Sequence, residues 1–359
     1  MNATHQSVRA QITSILLAWG SPAALAETTA EVMTETDLMG VDSHGISMLM
    51  GYEELLRLGQ LRIAGQPRVV REFGATALVD GGDALGHPPA VMAMRMAVEK
   101  ARIHGIGAVG VVNSHHFGAA GYYARMAAAS GFVGMVFSST RGISMVPPRG
   151  AEPVLGTNPI AFAAPNGEGQ PVVLDMATTT VAANKVKVYH LKEKDVPPGW
   201  VVDGAGNPVT DHAAANDYVF KRKEGGLTPL GEHKGYGLAL MVHILAGTMV
   251  GASFSPIRNR SQRTDEPNNI GHMMLALDPR AFRDMDAYTA DMAGVVEVLR
   301  GARPANPEEP VLIPGDPEDF SRAERLEAGI PIPASLERHV REIAERAGVP
   351  FVLEAAPGA

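Results

Sequence analysis

Cysteine is absent from the 359-residue chain. Disulfides, thiolate metal ligands and cysteine nucleophiles are excluded together. A chain that needs no disulfide fits a reducing compartment, so a cytoplasmic location is expected. Runs of Lys and Arg are also missing, and 31 basic residues against 39 acidic ones leave a net charge of -8. Nucleic-acid binders neutralise phosphate with basic stripes, so no nucleic-acid partner is expected. The start, Met1 to Val8, has no basic segment followed by an apolar core, so no signal peptide is expected. Apolar segments fall short of the roughly 20 residues that span a membrane. The nearest approach, residues 235–254, is glycine-rich, carries His243 in its middle and reads as a buried helix. Two catalytic signatures are lacking as well: the G-x-S-x-G elbow of serine hydrolases and the H-E-x-x-H metal pattern.

What is present is an ordinary globular balance, 45% apolar and 19% charged. The length exceeds the roughly 250 residues at which single cores stop growing, so two domains are expected. Val8, Ile12, Ile15, Leu16 and Trp19 recur at helical spacing. Ser21-Pro22 predicts an N-cap followed by proline at the first helical position, and Gly40 closes that second helix. His44 then falls on a junction before a further helical pattern at residues 49–58. Residues 69–73 and 76–80 predict a strand pair turned by Gly74, and residues 88–103 a helix. Residues 106–138 spell strand, loop, helix, strand, a βαβ pattern with two parallel strands. Further strands are expected at 172–175 and 271–278, helices at 176–190, 235–247 and from a Ser335 cap. Residues 197–217 and 303–319 read as loops, and 355–359 as a frayed end.

A literal G-x-G-x-x-G stands at Gly105, Gly107 and Gly110. It is rejected as a dinucleotide fingerprint, because there the glycines must follow a strand and open a helix. Here they precede and enter the strand. The loop Asn113-Ser114-His115-His116-Phe117-Gly118 is better placed, at a strand's carboxyl end before a helix whose free N–H groups favour anions. Its histidines titrate near neutrality in their ordinary state; the same residues also suit a polar turn. Asp42-Ser43-His44-Gly45 offers a proton donor with neighbours that can fix its tautomer, and equally suits a capping pair. Gly156-Thr157-Asn158-Pro159, Asp175-Met176-Ala177-Thr178 and His233-Lys234-Gly235 gather polar groups at turns and helix starts; Lys234 suits a phosphate or carboxylate. A metal site from His44, His115, His116 and His233 lacks ligand spacing, so no metal is expected.

Together with Pro314-Gly315-Asp316-Pro317-Glu318, these segments in order resemble the second type of malate/L-lactate dehydrogenase. That family includes ureidoglycolate, sulfolactate and diketogulonate oxidoreductases and piperideine-2-carboxylate reductases. The resemblance spans about residues 7–345. It implies an α/β fold with a three-layer mixed sheet, not a true Rossmann domain. A helical domain from both chain ends (1–70 with about 282–359) would surround a central α/β domain (71–281). It also implies a homodimer, a small-molecule substrate and NAD as cofactor, with NADP possible. His44 and His116 would be acid/base groups, with Ser43 beside His44. Phe117, Gly118, Thr140, Asp175, Met176, Ala177, His233, Lys234, Asp316, Pro317 and Glu318 would contact the cofactor, and Thr157 the substrate.

Two departures bear on substrate. The family usually carries arginine four residues after the first histidine, where it can clamp a carboxylate in a bidentate pair. Here Met48 stands there, so Arg141 or Arg57 must take over or the substrate is bulkier and less polar. Glu232 replaces a glycine beside His233-Lys234, which favours NAD over NADP because a carboxylate repels a phosphate. The expected activity is a reversible dehydrogenase of a 2-hydroxy acid, or reduction of a 2-oxo acid or cyclic imine. A metal-dependent lyase or hydrolase is the alternative.

Overall fold

The apolar spacing at the chain start is realised in two helices, α1 (His5–Ala18) and α2 (Ala23–Leu38). Their buried stripes, Val8, Ile12, Ile15 and Leu16 against Ala26, Ala30 and Met33, meet in one core. α3 (Leu49–Arg57) joins that core, as does the amphipathic C-terminal helix, which buries Val340, Ile343 and Ala344. The two ends of the chain are thus held together by apolar burial, reinforced by a short ladder of β1 (Asn2–Ala3) with Ile330–Pro331. This computed structural model describes residues 1–167, 169–253 and 266–356. Phe254 and residues 357–359, on which two expectations fell, lie outside the described residues.

A second core lies on a 7-stranded mixed sheet. Its strands are β2 (Arg68–Phe73), β3 (Thr76–Ala84), β4 (Ile106–Ser114), β5 (Val133–Ser138), β6 (Ile160–Asn166), β7 (Gly169–Met176) and a late strand, Ile270–Leu277. α4 (His87–His104) crosses between β3 and β4, which pair in parallel. α5 (Ala120–Ala129) links β4 to β5. Those two strands are parallel, as the βαβ pattern predicts, yet they are not neighbours. Ile270–Leu277 lies between them, antiparallel to both. The intruding strand arrives from more than 130 residues downstream, a pairing that no local pattern encodes.

Other differences have local causes. The second helix starts at Ala23 with Pro22, not Ser21, at its N-cap, and no side chain caps it. β6 falls where no strand was expected; three of its seven residues are alanine, a weak strand former. α6 (Ala183–Leu191) starts later than residue 176, because Thr178, Thr179 and Thr180 spend their groups on other segments and loops. α7 (His212–Phe220) occupies the end of an expected loop, nucleated by the Asp211 cap on the Ala214 N–H. It lies between the short strands β8 (Val201–Val202) and β9 (Gly226–Leu227), which pair with each other. α8 (His233–His243) passes into one π-turn at Ile244–Thr248. It is not buried all round: Leu240 and Met241 are well exposed on it, as are Ile244 and Met249 in and just after the π-turn. No described helix is long and apolar enough to cross a membrane. Beyond the late strand, now β10, come α9 (Met285–Arg300), α10 (Asp316–Ala328), β11 (Ile330–Pro331) and α11 (Ala334–Ala347). α10 takes up the last residues of the expected 303–319 connection, and α11 starts behind Pro333 rather than a Ser335 cap. Gly105 closes α4 in the left-handed region, while Gly107 and Gly110 pack within β4, so the glycine triplet serves strand packing.

Candidate active site

A cavity of about 810 Å³ opens at the carboxyl end of β4, between the α2–α3 junction, the start of α5 and the end of β7. It lies where open α/β sheets bind ligands. His44 and His116, 72 residues apart in sequence, lie side by side in its lining with ring centroids 5.2 Å apart.

His44 is carried by a loop that the fold holds from beneath. Gly40 turns the chain at φ +80° after α2. Asp37, on the last turn of α2, then accepts the Ile46 N–H at 2.8 Å. The loop passes so close that a Cβ on Gly45 would lie 1.8 Å from Asp37 Oδ1. Burial pushes the Asp37 carboxyl up to about 8, so it is held largely as the neutral acid. Arg325 on α10 bonds the Asp37 carbonyl at 2.6 Å and pairs with Asp42. Ser43 Oγ lies 2.7 Å from His44 Nδ1.

His116 sits on the β4–α5 loop. Tyr52, fully buried on α3, places its hydroxyl 2.8 Å from His116 Nδ1, and the Gly118 N–H points at the same nitrogen at 3.3 Å. Phe117 stacks between His272, at 4.3 Å, and Tyr123, at 5.0 Å, which fixes the loop from below. His272 is itself pinned by Ser138 and Ser114. The adjacent histidine, His115, is fully buried and meets the Asn268 side chain. Both histidines contribute to the cavity lining, but His115 is fully buried whereas His116 is partly exposed.

Neither wall histidine titrates near neutrality, and for His116 this overturns the expectation from the sequence. Desolvation pushes His44 down to about 4. His116 is held well below its ordinary range, first by burial and then by His44, His87, His272 and His115 around it. Both rings are uncharged at neutral pH. A second expectation is also modified: the start of α5 is not free for an anion, since Asp175 Oδ2 accepts the Gly121 N–H at 2.6 Å.

Of the residues singled out in the sequence, Ser43, His44, His116, Phe117, Gly118, Thr140, Asp175, Met176, Ala177 and Glu318 line the cavity, and so do Met48, Thr157 and Arg141. Thr140 bonds Asn158 at 3.1 Å, and Asn158 in turn bonds the Ala239 carbonyl, so the Gly156–Pro159 turn is clamped onto α8. His233 and Lys234 are exposed at the start of α8, outside this lining. Asp316 is buried against Arg300 at 2.6 Å and, with Pro317, also lies outside it. Among the described residues no three His, Asp or Glu side chains are grouped to hold a metal ion. The cations of the lining are Arg125, Arg141 and Lys185. Arg125 pairs with Asp319 at 2.8 Å, and Lys185 lies over the Trp200 ring. Among the described residues Arg141 donates to the neutral Gln60 Oε1 at 3.1 Å and is attracted by the Glu54 carboxylate. Tyr52, Asp37, Arg325 and His272 were missed by sequence reasoning. The only signal for Tyr52 was a phenol on the apolar face of a helix directly following the His44 loop.

Two neutral imidazoles side by side in a largely apolar cavity, with the Arg141 guanidinium in the same lining, are suited to acid/base chemistry on a small anionic molecule. The comparisons give the class a family. A sequence model of malate/L-lactate dehydrogenase matches residues 3–341. Malate dehydrogenase from Pyrococcus horikoshii is 36% identical over 346 residues, covering 94% of this chain and 93% of that protein. The crystal structure of malate dehydrogenase from Entamoeba histolytica superposes with a TM-score of 0.92 at 28% identity, covering 98% of this chain and 99% of that one. Delta1-piperideine-2-carboxylate reductase from Pseudomonas syringae gives 0.84 at 26% identity, over 96% and 100% of the two chains. The chain belongs to the malate/L-lactate dehydrogenase family. It is an NAD(P)-dependent oxidoreductase acting on the CH–OH group of a hydroxy acid.

Proposed function

We propose that this chain interconverts a 2-hydroxy acid and its 2-oxo acid, with the wall histidines handling the hydroxyl proton and NAD as the preferred cofactor. The observation that carries the reading is the His44–His116 pair, neutral and 5.2 Å apart in the lining of a cavity that also holds Arg141.

The cavity suits a nicotinamide dinucleotide in size and lining. Its volume of about 810 Å³ lies in the upper part of the range for ligand sites. Ala119, Ala120 and Gly121 keep the wall at the start of α5 free of bulk, and Asp175 stands at its rim as an acceptor. Phe117, Gly118, Thr140, Asp175, Met176, Ala177 and Glu318 would hold the cofactor, which supplies the hydride acceptor for C2. His233, Lys234, Asp316 and Pro317 belong to the same proposed set, approaching from outside the lining. Glu232, exposed beside Lys234, favours a ribose hydroxyl over a phosphate and hence NAD over NADP.

The chain's own residues then have three tasks. Arg141 meets the substrate carboxylate, since Met48 in the same lining offers no charge. Thr157, at the clamped turn, contacts the substrate. The histidines hold the C2 oxygen and move its proton. The similarity to the piperideine-2-carboxylate reductase supports a cyclic imino acid as the second candidate substrate, because the same groups can serve a C=N bond.

The division into a helical domain from both ends (1–70 and about 282–359) and a central domain is part of this reading, although α9, beyond the second boundary, packs on β6. The exposed apolar residues of α8 support a homodimer, and the cysteine-free composition a cytoplasmic protein. Titration with NADH and NADPH, followed by a screen of 2-hydroxy and 2-oxo acids, tests the proposal. NADH binding and turnover of a 2-hydroxy acid are expected; failure of both cofactors to bind would end it.

A further inference from the structure

We infer that the two histidines have fixed and different tasks. Tyr52 and the Gly118 amide lock His116 as a neutral Nε2–H hydrogen-bond donor to the substrate oxygen, and His44 is the ring that carries the proton. This rests on the dehydrogenase reading above and divides its acid/base chemistry between two rings.

The argument starts from the Gly118 N–H. A backbone amide can only donate, and it points at His116 Nδ1 at 3.3 Å. Nδ1 is therefore bare. The Tyr52 hydroxyl, 2.8 Å from the same nitrogen, must then be the donor in that bond as well. A neutral imidazole with a bare Nδ1 carries its proton on Nε2. Burial keeps the ring neutral, and Tyr52 is fully buried, so its hydroxyl is not free to exchange partners with solvent. Nε2 has no protein hydrogen bond among the described residues. The ring lines the cavity, so its one proton is available to a ligand there.

His44 is held differently. Among the described residues its Nδ1 meets only the Ser43 hydroxyl, at 2.7 Å, and a hydroxyl donates or accepts with equal ease. The His44 tautomer is therefore free to switch. When Ser43 accepts from Nδ1–H, Nε2 is a vacant base. In the oxidation of a 2-hydroxy acid the C2 hydride goes to the oxidised cofactor and the hydroxyl proton to His44 Nε2. The O–H and C–H bonds break and the C=O bond forms. His116 Nε2–H holds the same oxygen throughout without changing its protonation. The reverse reaction returns the proton from His44. Tyr52 is thus a positioning residue that acts through His116.

Nitrogen-15 NMR of the histidine side chains, with His116 assigned by its loss in His116→Gln, reads the tautomer without turnover. The expected spectrum of His116 is protonated at Nε2 and bare at Nδ1. Tyr52→Phe should add Nδ1–H population and lower kcat about tenfold with little change in KM. His116→Gln, which keeps a neutral N–H donor, should retain far more activity than His44→Gln, which loses on the order of 100-fold or more. An Nδ1–H His116 in the native protein overturns the assignment, as does His116→Gln being the more damaging of the pair. An Nε2–H ring in a protein that oxidises no 2-hydroxy acid with either cofactor would keep the ring assignment and refute the dehydrogenase reading instead.

Discussion

Replacing Gly45 with alanine tests whether the His44 loop is held as tightly as its packing on Asp37 implies. The added Cβ would stand 1.8 Å from Asp37 Oδ1, 2.0 Å from its Cγ and 2.3 Å from its Oδ2. Ordinary contact for such a pair begins at 3.4 Å, so the loop or the carboxyl must yield by about 1.6 Å. Asp37 cannot swing away cheaply: it is 2% exposed and accepts the Ile46 N–H, and its own carbonyl is held by Arg325. The loop should therefore move, carrying His44, the preceding residue. A displacement of about 1 Å at a catalytic group costs on the order of 100-fold in rate, and overpacking of this kind costs about 1–3 kcal/mol of stability. The expected Gly45→Ala protein is folded, binds NADH as the native protein does, and shows kcat lowered about 100-fold with a lower Tm. Steady-state kinetics, cofactor titration and thermal unfolding measure the three quantities. Native kcat together with native Tm would refute the reasoning, because the collision would then have been relieved at no cost.

Four further outcomes are expected. Asp37→Asn should remove a pH dependence of stability. Folded Asp37 keeps its proton until about pH 8, whereas an unfolded aspartate releases it near pH 4, so the native state binds more protons in between. The contribution of Asp37 is full below that lower value and is lost as pH rises through about 8, with a slope limited to about 1.4 kcal/mol per pH unit. Urea unfolding at mildly acidic and at alkaline pH should show Asp37→Asn gaining on the native protein as pH rises; a constant difference contradicts this. Arg141→Met should raise KM for a 2-oxo acid about 10- to 100-fold, since it removes a charged hydrogen-bond donor, and Met48→Arg should improve activity on small 2-oxo acids. Equal KM values in Arg141→Met and the native protein would place the carboxylate elsewhere. Gly294→Ala, in the interior of α9 where a Cβ meets nothing within 4 Å, should stabilise by about 0.5–1 kcal/mol by differential scanning calorimetry, with unchanged kinetics.

The sequence by itself determined the parts that depend on near neighbours. Helical spacing placed α1, α2 and α4, and the strand-loop-helix pattern at 106–138 put His116 beside the start of α5. The order of short motifs carried the family. The context of Gly105, Gly107 and Gly110 sufficed to refuse a false dinucleotide site, because the strand begins where a helix should.

The tertiary structure decided what depends on residues distant in the chain. β10 inserts between β4 and β5, a pairing set by burial on both faces rather than by any local propensity. Arg325 reaches Asp42 from the far end of the sequence. Tyr52 was legible only as one more buried residue of α3; its hydroxyl acquires a task because α3 packs under the β4–α5 loop. The neutrality of His44 was hidden, and the protonation of His116 misread, for the same reason. An imidazole titrates near neutrality in water, and only the closing of the cavity walls around these two rings withdraws the solvent that would stabilise their charge.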